Sequence, residues 1–252
     1  MIGFQEQQPM QTKKIKIYDN SLAVARAFAT DLYLLATKAA QPVHIALSGG
    51  STPALLFDVL AEQYAAKMPW HKIHFWWGDE RCVAPTDEQS NYKMTSDHLL
   101  SRITMPAENI HRVKGEWEPR QANQEYIAEI NQWLPKTNGW PVFDLIILGM
   151  GNDGHTASIF PHEIHLLNAP EICAVATHPE SGQKRVSLTG KVINNAKEVC
   201  FLVTGKSKTA RVDEIFNQRE GYLKLPSSYI QPVQGQLTFY FDKEAASAIK
   251  AN

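Results

Sequence analysis

The stretch that most constrains this chain is Asp144 to Pro161, DLIILGMGNDGHTASIFP. Leu145, Ile146, Ile147 and Leu148 form an unbroken apolar run that ends at Gly149-Met150-Gly151. A short apolar run closed by glycines is the pattern of a strand buried on both faces of a parallel sheet. Directly behind it stand Asp153, Gly154 and His155. In open α/β sheets, ligands bind at loops on the carboxyl ends of strands. An acid beside a histidine on permissive backbone supplies the parts of a proton-transfer site there.

The same strand-then-turn grammar recurs along the chain. Val43 to Leu47 (VHIAL) leads into Ser48-Gly49-Gly50-Ser51-Thr52-Pro53, and Ile73 to Trp77 (IHFWW) leads into Gly78-Asp79-Glu80-Arg81. Lys14 to Tyr18 alternates like an edge strand, and Ile172 to Thr177, Arg185 to Thr189, Val199 to Val203 and Leu237 to Phe241 also read as strands. Between them the pattern predicts helices. The first is capped at Asp19-Asn20-Ser21 and runs to about Lys38, and the second spans Thr52 to Tyr64 with Pro53 in its first turn. Others run from Ser90 or Asn91 to Ile103, over residues 119–134, and from Lys208 to about Arg219, and a short alanine-rich helix closes the chain. Alternating strands and helices give an α/β class with a mostly parallel sheet. No repeat or linker divides the sequence, so residues 12–252 read as one domain behind a loose lead-in of residues 1–11.

A formal net charge of −1 argues against nucleic acid or an anionic membrane as partner. Any anion site must then be a local cluster of basic residues. Cys82, Cys173 and Cys200 are sparse and odd in number, as reduced thiols in the cytoplasm would be, and they make neither a disulfide framework nor a zinc motif. The start lacks the apolar core of a signal peptide, and no apolar run reaches membrane-spanning length. The expectation is a cytoplasmic protein with no metal or cofactor, working as a monomer or small homo-oligomer on a small molecule. Trp76 and Trp77, side by side, fit either a core or an interface.

The turn at Gly49, Gly50, Ser51 and Thr52 places bare N–H groups and two hydroxyls at a helix N-terminus, where the dipole favours an anion such as phosphate. The plainer reading is a capped strand-to-helix turn. Asp79 and Arg81 could be an ordinary surface ion pair, or an acid that orients a proton and a guanidinium that binds phosphate or an oxyanion. Three other patterns fail on inspection. Gly149, Gly151 and Gly154 match a dinucleotide fingerprint in spacing, but Asp153 would face the pyrophosphate and Pro161 leaves little helix. Gly205-Lys206-Ser207 lacks the leading glycine of a P-loop, since position 200 is Cys200, although Lys206 could still meet a phosphate. His162 and His165 are one residue too close for a zinc helix. With no G-x-S-x-G elbow, hydrolysis here would use direct attack by water, with His155 as base.

Taken together, the SGGSTP, GDER and GMGNDGHTASIFP motifs, with Arg185-Val186-Ser187-Leu188-Thr189 and Thr204-Gly205-Lys206, resemble the 6-phosphogluconolactonase family over residues 48 to about 208. The resemblance implies a Rossmann-like sheet and hydrolysis of 6-phospho-D-glucono-1,5-lactone to 6-phosphogluconate, the second step of the oxidative pentose phosphate pathway. It implies His155 as general base, with Asp153 and Asp79 orienting it or holding the reacting end. Arg81 would bind the anionic substrate or steady the oxyanion, and Gly49, Gly50, Ser51, Thr52, Arg185 and Lys206 would hold the phosphate. A glucosamine-6-phosphate deaminase is the nearest rival, but its further acid after the histidine has no counterpart in Thr156 to Pro161, and its DEY is here Asp79-Glu80-Arg81. A non-catalytic sugar-phosphate sensor would be expected to have lost Asp153 or His155, and both are present.

Overall fold

The computed structural model describes residues 13–249, so the lead-in expected over residues 1–11 lies outside the described residues. In chain order come β1 (Lys14–Tyr18), α1 (Ser21–Lys38), β2 (Val43–Leu47), α2 (Ser51–Tyr64), β3 (Ile73–Trp77) and β4 (Asp79–Arg81). They are followed by α3 (Asn91–His98), α4 (Pro119–Trp133), the short strands β5 (Lys136–Thr137) and β6 (Trp140–Pro141), and β7 (Leu145–Leu148). The remainder is β8 (Cys173–Thr177), β9 (Lys184–Leu188), α5 (Gly190–Ile193), β10 (Glu198–Val203), α6 (Thr209–Phe216) and β11 (Gln236–Asp242). The central sheet has six strands in the order β1-β11-β10-β7-β2-β3, and every pairing in it is parallel. Helices cover both of its faces, which is the α/β architecture the alternation predicts.

Successive side chains on a strand point to opposite faces, so each buried strand feeds two cores. Ile45, Leu47, Phe75, Trp77, Leu145 and Ile147 pack with α1 and α2. Ala46, Trp76, Ile146, Leu148, Phe201 and Phe239 pack on the other face with α4 and the elements after β7. Trp76 and Trp77 are therefore both core residues, each 0% exposed, on opposite sides of β3. That settles the choice between core and interface left by their adjacency.

Five departures from the sequence reading have local causes. Residues 79–81 form a strand rather than a turn. Gly78 donates to the Leu47 carbonyl and accepts from Leu188 N–H, so the chain leaves the parallel ladder there and joins β9. As a result β8 and β9, expected among the strands of one sheet, form with β4 a separate antiparallel sheet. α3 stops at His98 because Leu99 turns out of helical geometry to bury its side chain completely. α6 ends at Phe216, before a left-handed Gln218. The alanine-rich end makes turns around Asp242, whose carboxylate accepts from Ala245 N–H, and is too short to sustain a helix. Among the described residues no helix is long and apolar enough to cross a membrane.

Under α4, three histidines are built into the core side of the sheet. Trp76 stacks on His111 at 3.9 Å and its Nε1–H donates to His44 Nδ1 at 3.2 Å. His111 is bonded to His74 at 2.9 Å and to Glu129 at 2.6 Å. Burial, reinforced by neighbouring His74, pushes His44 down to about 4. Between that value and its ordinary 6.5 the unfolded chain holds a proton the fold refuses, so stability falls as pH drops through this window. The melting temperature should accordingly decline from pH 6.5 toward 4, and His44→Gln, which keeps an acceptor for Trp76, should reduce that decline. An unchanged slope in the variant would remove His44 as its source.

Candidate active site

Strand order reverses between β2 and β7. From β2 the chain moves outward to β3, whereas from β7 it moves the other way through β10 to β11. The loops leaving two such strands diverge and open a crevice at the carboxyl edge. Here it is a cleft of about 300 Å³, with Ser48, Gly49 and Gly50 on one side and Gly149 to Asn152, His155 and Ala157 on the other. Asp79, Arg81, Asn91, Arg185 and Lys208 complete its walls. A larger hollow of about 1020 Å³ lies at the opposite, amino end of the strands. Four of the charged groups lining it are paired with each other, Lys16 with Asp31 and Lys197 with Asp144, and none of the candidate site residues reaches it. Size alone is a poor guide to the site.

His155 and Asp153 are hydrogen-bonded through Nδ1 and Oδ1 at 2.6 Å, and the same oxygen accepts from His155 N–H at 3.1 Å. Partial burial works against the Asp153 carboxylate, but its bonds to His155 and the ring's charge outweigh that and bring it to about 2. An ionised acceptor at Oδ1 assigns the proton to Nδ1 and leaves Nε2 as the basic nitrogen. His155 lines the cleft and Asp153 does not, so the acid stands behind the ring rather than at the reacting end. The loop is held by Thr156, whose hydroxyl donates to the Gly149 carbonyl at 2.9 Å, and by Ser227, which donates to the Gly154 carbonyl at 2.8 Å. Phe160 packs against the imidazole at 4.8 Å.

The antiparallel pairing of β4 with β9 places Arg81 directly opposite Arg185. Like charges facing each other across a ladder repel, and burial together with Arg81 lowers the pKa of Arg185. Asp79 offsets part of this from 4.0 Å, and Phe160 offers its ring face to the Arg185 guanidinium at 5.5 Å. The Nε atoms of both arginines are buried without a hydrogen-bond partner. Two cations with unused donors, side by side in a cleft wall, form a receptor for an anion. Glu80 has a different duty. It is buried and accepts from the N–H groups of Arg81, Asn91 and Tyr92 and from the Ser90 hydroxyl, tying α3 to the cleft.

Gly50 precedes α2 with φ of +106°, a conformation that L side chains rarely adopt, and no side chain caps the helix. The first N–H groups of α2 are thus left for a ligand. Gly49 has a different reason to be glycine. A Cβ there would lie 1.9 Å from Asn91 Oδ1, and Asn91 itself holds the Asp79 carbonyl at 2.9 Å. Ser51 and Thr52 lie in the first turn of α2 and are not among the cleft-lining residues; the Thr52 hydroxyl pairs with that of Thr204 at 2.8 Å. Lys206, expected at the phosphate, is exposed and outside the cleft wall. The 3-10 turn after Gly205 brings Lys208 to the cleft instead, with Nζ bonded to Asn152 Oδ1 at 2.7 Å. Lys208, Asn91 and Asn152 were not singled out from the sequence. Two carried a signal, Asn152 inside the GMGNDGHTASIFP motif and Lys208 two residues after Lys206.

The family model described as glucosamine-6-phosphate isomerases/6-phosphogluconolactonase matches residues 19–239. A 6-phosphogluconolactonase of Haemophilus influenzae is 47% identical over 81% of this chain and 86% of its own length. The solved structure of devB protein superposes with a TM-score of 0.90 at 44% identity, covering 95% of this chain and all of the other. The crystal structure of 6-phosphogluconolactonase from Leishmania guyanensis gives 0.83 at 29% identity, covering 95% of this chain and 100% of the other.

The close approach at Gly49 is directly testable. Gly49→Ala must displace the buried Asn91 amide, and overpacking of this kind costs about 1–3 kcal/mol. A fall of several degrees in melting temperature is expected; an unchanged one would contradict the contact.

Proposed function

Because the chain belongs to the glucosamine-6-phosphate isomerase/6-phosphogluconolactonase family, we propose that its cleft hydrolyses 6-phospho-D-glucono-1,5-lactone to 6-phospho-D-gluconate. The observation that carries the chemistry is the His155–Asp153 pair at 2.6 Å, in a cleft whose wall also holds two arginines with unused donors. Water attacks the lactone C1 carbonyl while His155 Nε2 takes its proton. Asp153 keeps the ring in the reactive tautomer and stabilises the imidazolium that forms. The carbonyl oxygen becomes an oxyanion in the field of Arg81. As the intermediate collapses, the C1–ring-oxygen bond breaks, and the imidazolium returns its proton to the departing oxygen.

At the other end of the substrate, the 6-phosphate takes the Gly49–Gly50 turn and the first N–H groups of α2, with Lys208 and Arg185 as cations. Its binding energy positions a lactone that is intrinsically reactive, so one base and a local positive field suffice. Asp79 faces the same space and orients the water or a sugar hydroxyl. The deaminase reading is disfavoured, because Thr156 to Pro161 carries no further acid and relatives up to 47% identical bear the lactonase name. Three free thiols fit a cytoplasmic enzyme that needs no disulfide, working as a monomer or small homo-oligomer.

Freshly generated 6-phosphogluconolactone should disappear above its spontaneous rate at neutral pH. Lys208→Ala should raise KM about tenfold or more with a smaller change in kcat, the pattern of lost phosphate binding. Ammonia release from glucosamine 6-phosphate with no lactone turnover would overturn the proposal in favour of the deaminase. An unchanged KM would remove Lys208 from the phosphate site.

A further inference from the structure

Asp79 lines the cleft, yet the feature that decides how it faces the substrate sits behind it, in the loop that also carries His155. Ser158 is 0% exposed and its hydroxyl is 2.6 Å from Asp79 Oδ2, with Oγ as the donor. The Arg185 guanidinium approaches the same Oδ2 at 4.0 Å. Oδ1 accepts no hydrogen bond from the described residues and is absent from the buried unpaired atoms, so it is the oxygen left open to the cleft. Ser158 is itself fixed in place. Its N–H donates to Ser187 Oγ at 3.1 Å, and the Ser187 hydroxyl donates onward to the Leu188 carbonyl at 3.0 Å. Since Ser187 is the ladder partner of Asp79 across β4 and β9, the device spans the small sheet and the His155 loop.

We propose that Ser158 is a positioning residue of the lactonase reaction: it occupies Asp79 Oδ2 and so presents Oδ1 to the reacting end of the substrate. A charge-assisted O–H···O⁻ bond in a dry setting is short and strong, and it fixes the rotation of the carboxylate. The arrangement also couples the two ends of the catalytic apparatus. Ser158 follows His155 by three residues, so any shift of the loop moves the histidine and the Asp79 anchor together.

This inference rests on the proposed lactonase activity, and its test separates the two. The variants Ser158→Ala and Ser158→Cys are compared with wild type for kcat and KM on 6-phosphogluconolactone, with melting curves to verify folding. Loss of the hydroxyl should lower kcat about tenfold or more, the size of one hydrogen bond to a charged group, while KM moves less than threefold. Cysteine, a weaker donor of similar shape, should fall between alanine and wild type. The other charged groups around Asp79, namely Arg185 on β9, Glu80 and Arg81 on its own strand and His155 in the same cleft, are common to all three proteins, so the difference isolates the bond. A folded Ser158→Ala with wild-type kcat would overturn the role of Ser158. An inactive wild type would instead overturn the lactonase reading on which it stands.

Discussion

Everything at this site depends on one pairing, that of β2 with β7. Ile45 opposite Leu145 and Ala46 opposite Ile146 join two strands whose onward connections run in opposite directions. Without that reversal the Gly49–Gly50 turn and the Asp153–His155 loop would not face each other across a crevice. The pairing is held by apolar side chains on both faces of the sheet, Ile45 and Leu145 toward one core and Ala46 and Ile146 toward the other. Asp144 adds a polar tie at the strand's start, accepting from His44 N–H at 2.8 Å. The chemistry is thus set on rigid backbone at the strand ends, as precise positioning of a water and a base requires.

A second constraint is electrostatic. The chain as a whole is nearly neutral, so the cleft gets its positive character from placement rather than from composition. Setting Arg81 opposite Arg185 opposes stability, and the structure offsets it locally with Asp79, Glu80 and the face of Phe160. Phe160 touches both His155 and Arg185 and so links the imidazole to the arginine pair through one buried ring. The wall is therefore strained toward binding an anion, which is the direction a phosphorylated lactone and its oxyanion both need.

Much of this was legible in the sequence, because the strands buried on both faces are plain apolar runs and each ends in glycine. Val43 to Leu47, Ile73 to Trp77 and Leu145 to Leu148 could be read without knowing their neighbours, and the motifs placed at their ends do meet at the cleft. What stayed hidden depends on pairing over long distance. Nothing local marks Asp79–Arg81 as a strand, since its partner Arg185–Ser187 lies a hundred residues away. Lys206 and Lys208 are indistinguishable until the turn after Gly205 is built, and only then does the second reach the cleft. Asn91 reads as a helix cap, and its role against Gly49 exists only in three dimensions.

The account stands or falls on His155 as the base for water. The most direct measurement is turnover of fresh 6-phosphogluconolactone by wild type and His155→Ala side by side, with 6-phosphogluconate affinity measured on both. The predicted result is loss of about 100-fold or more in kcat with product affinity retained, the range for removal of a general base. Equal turnover in both proteins would contradict it and move the base to Asp79.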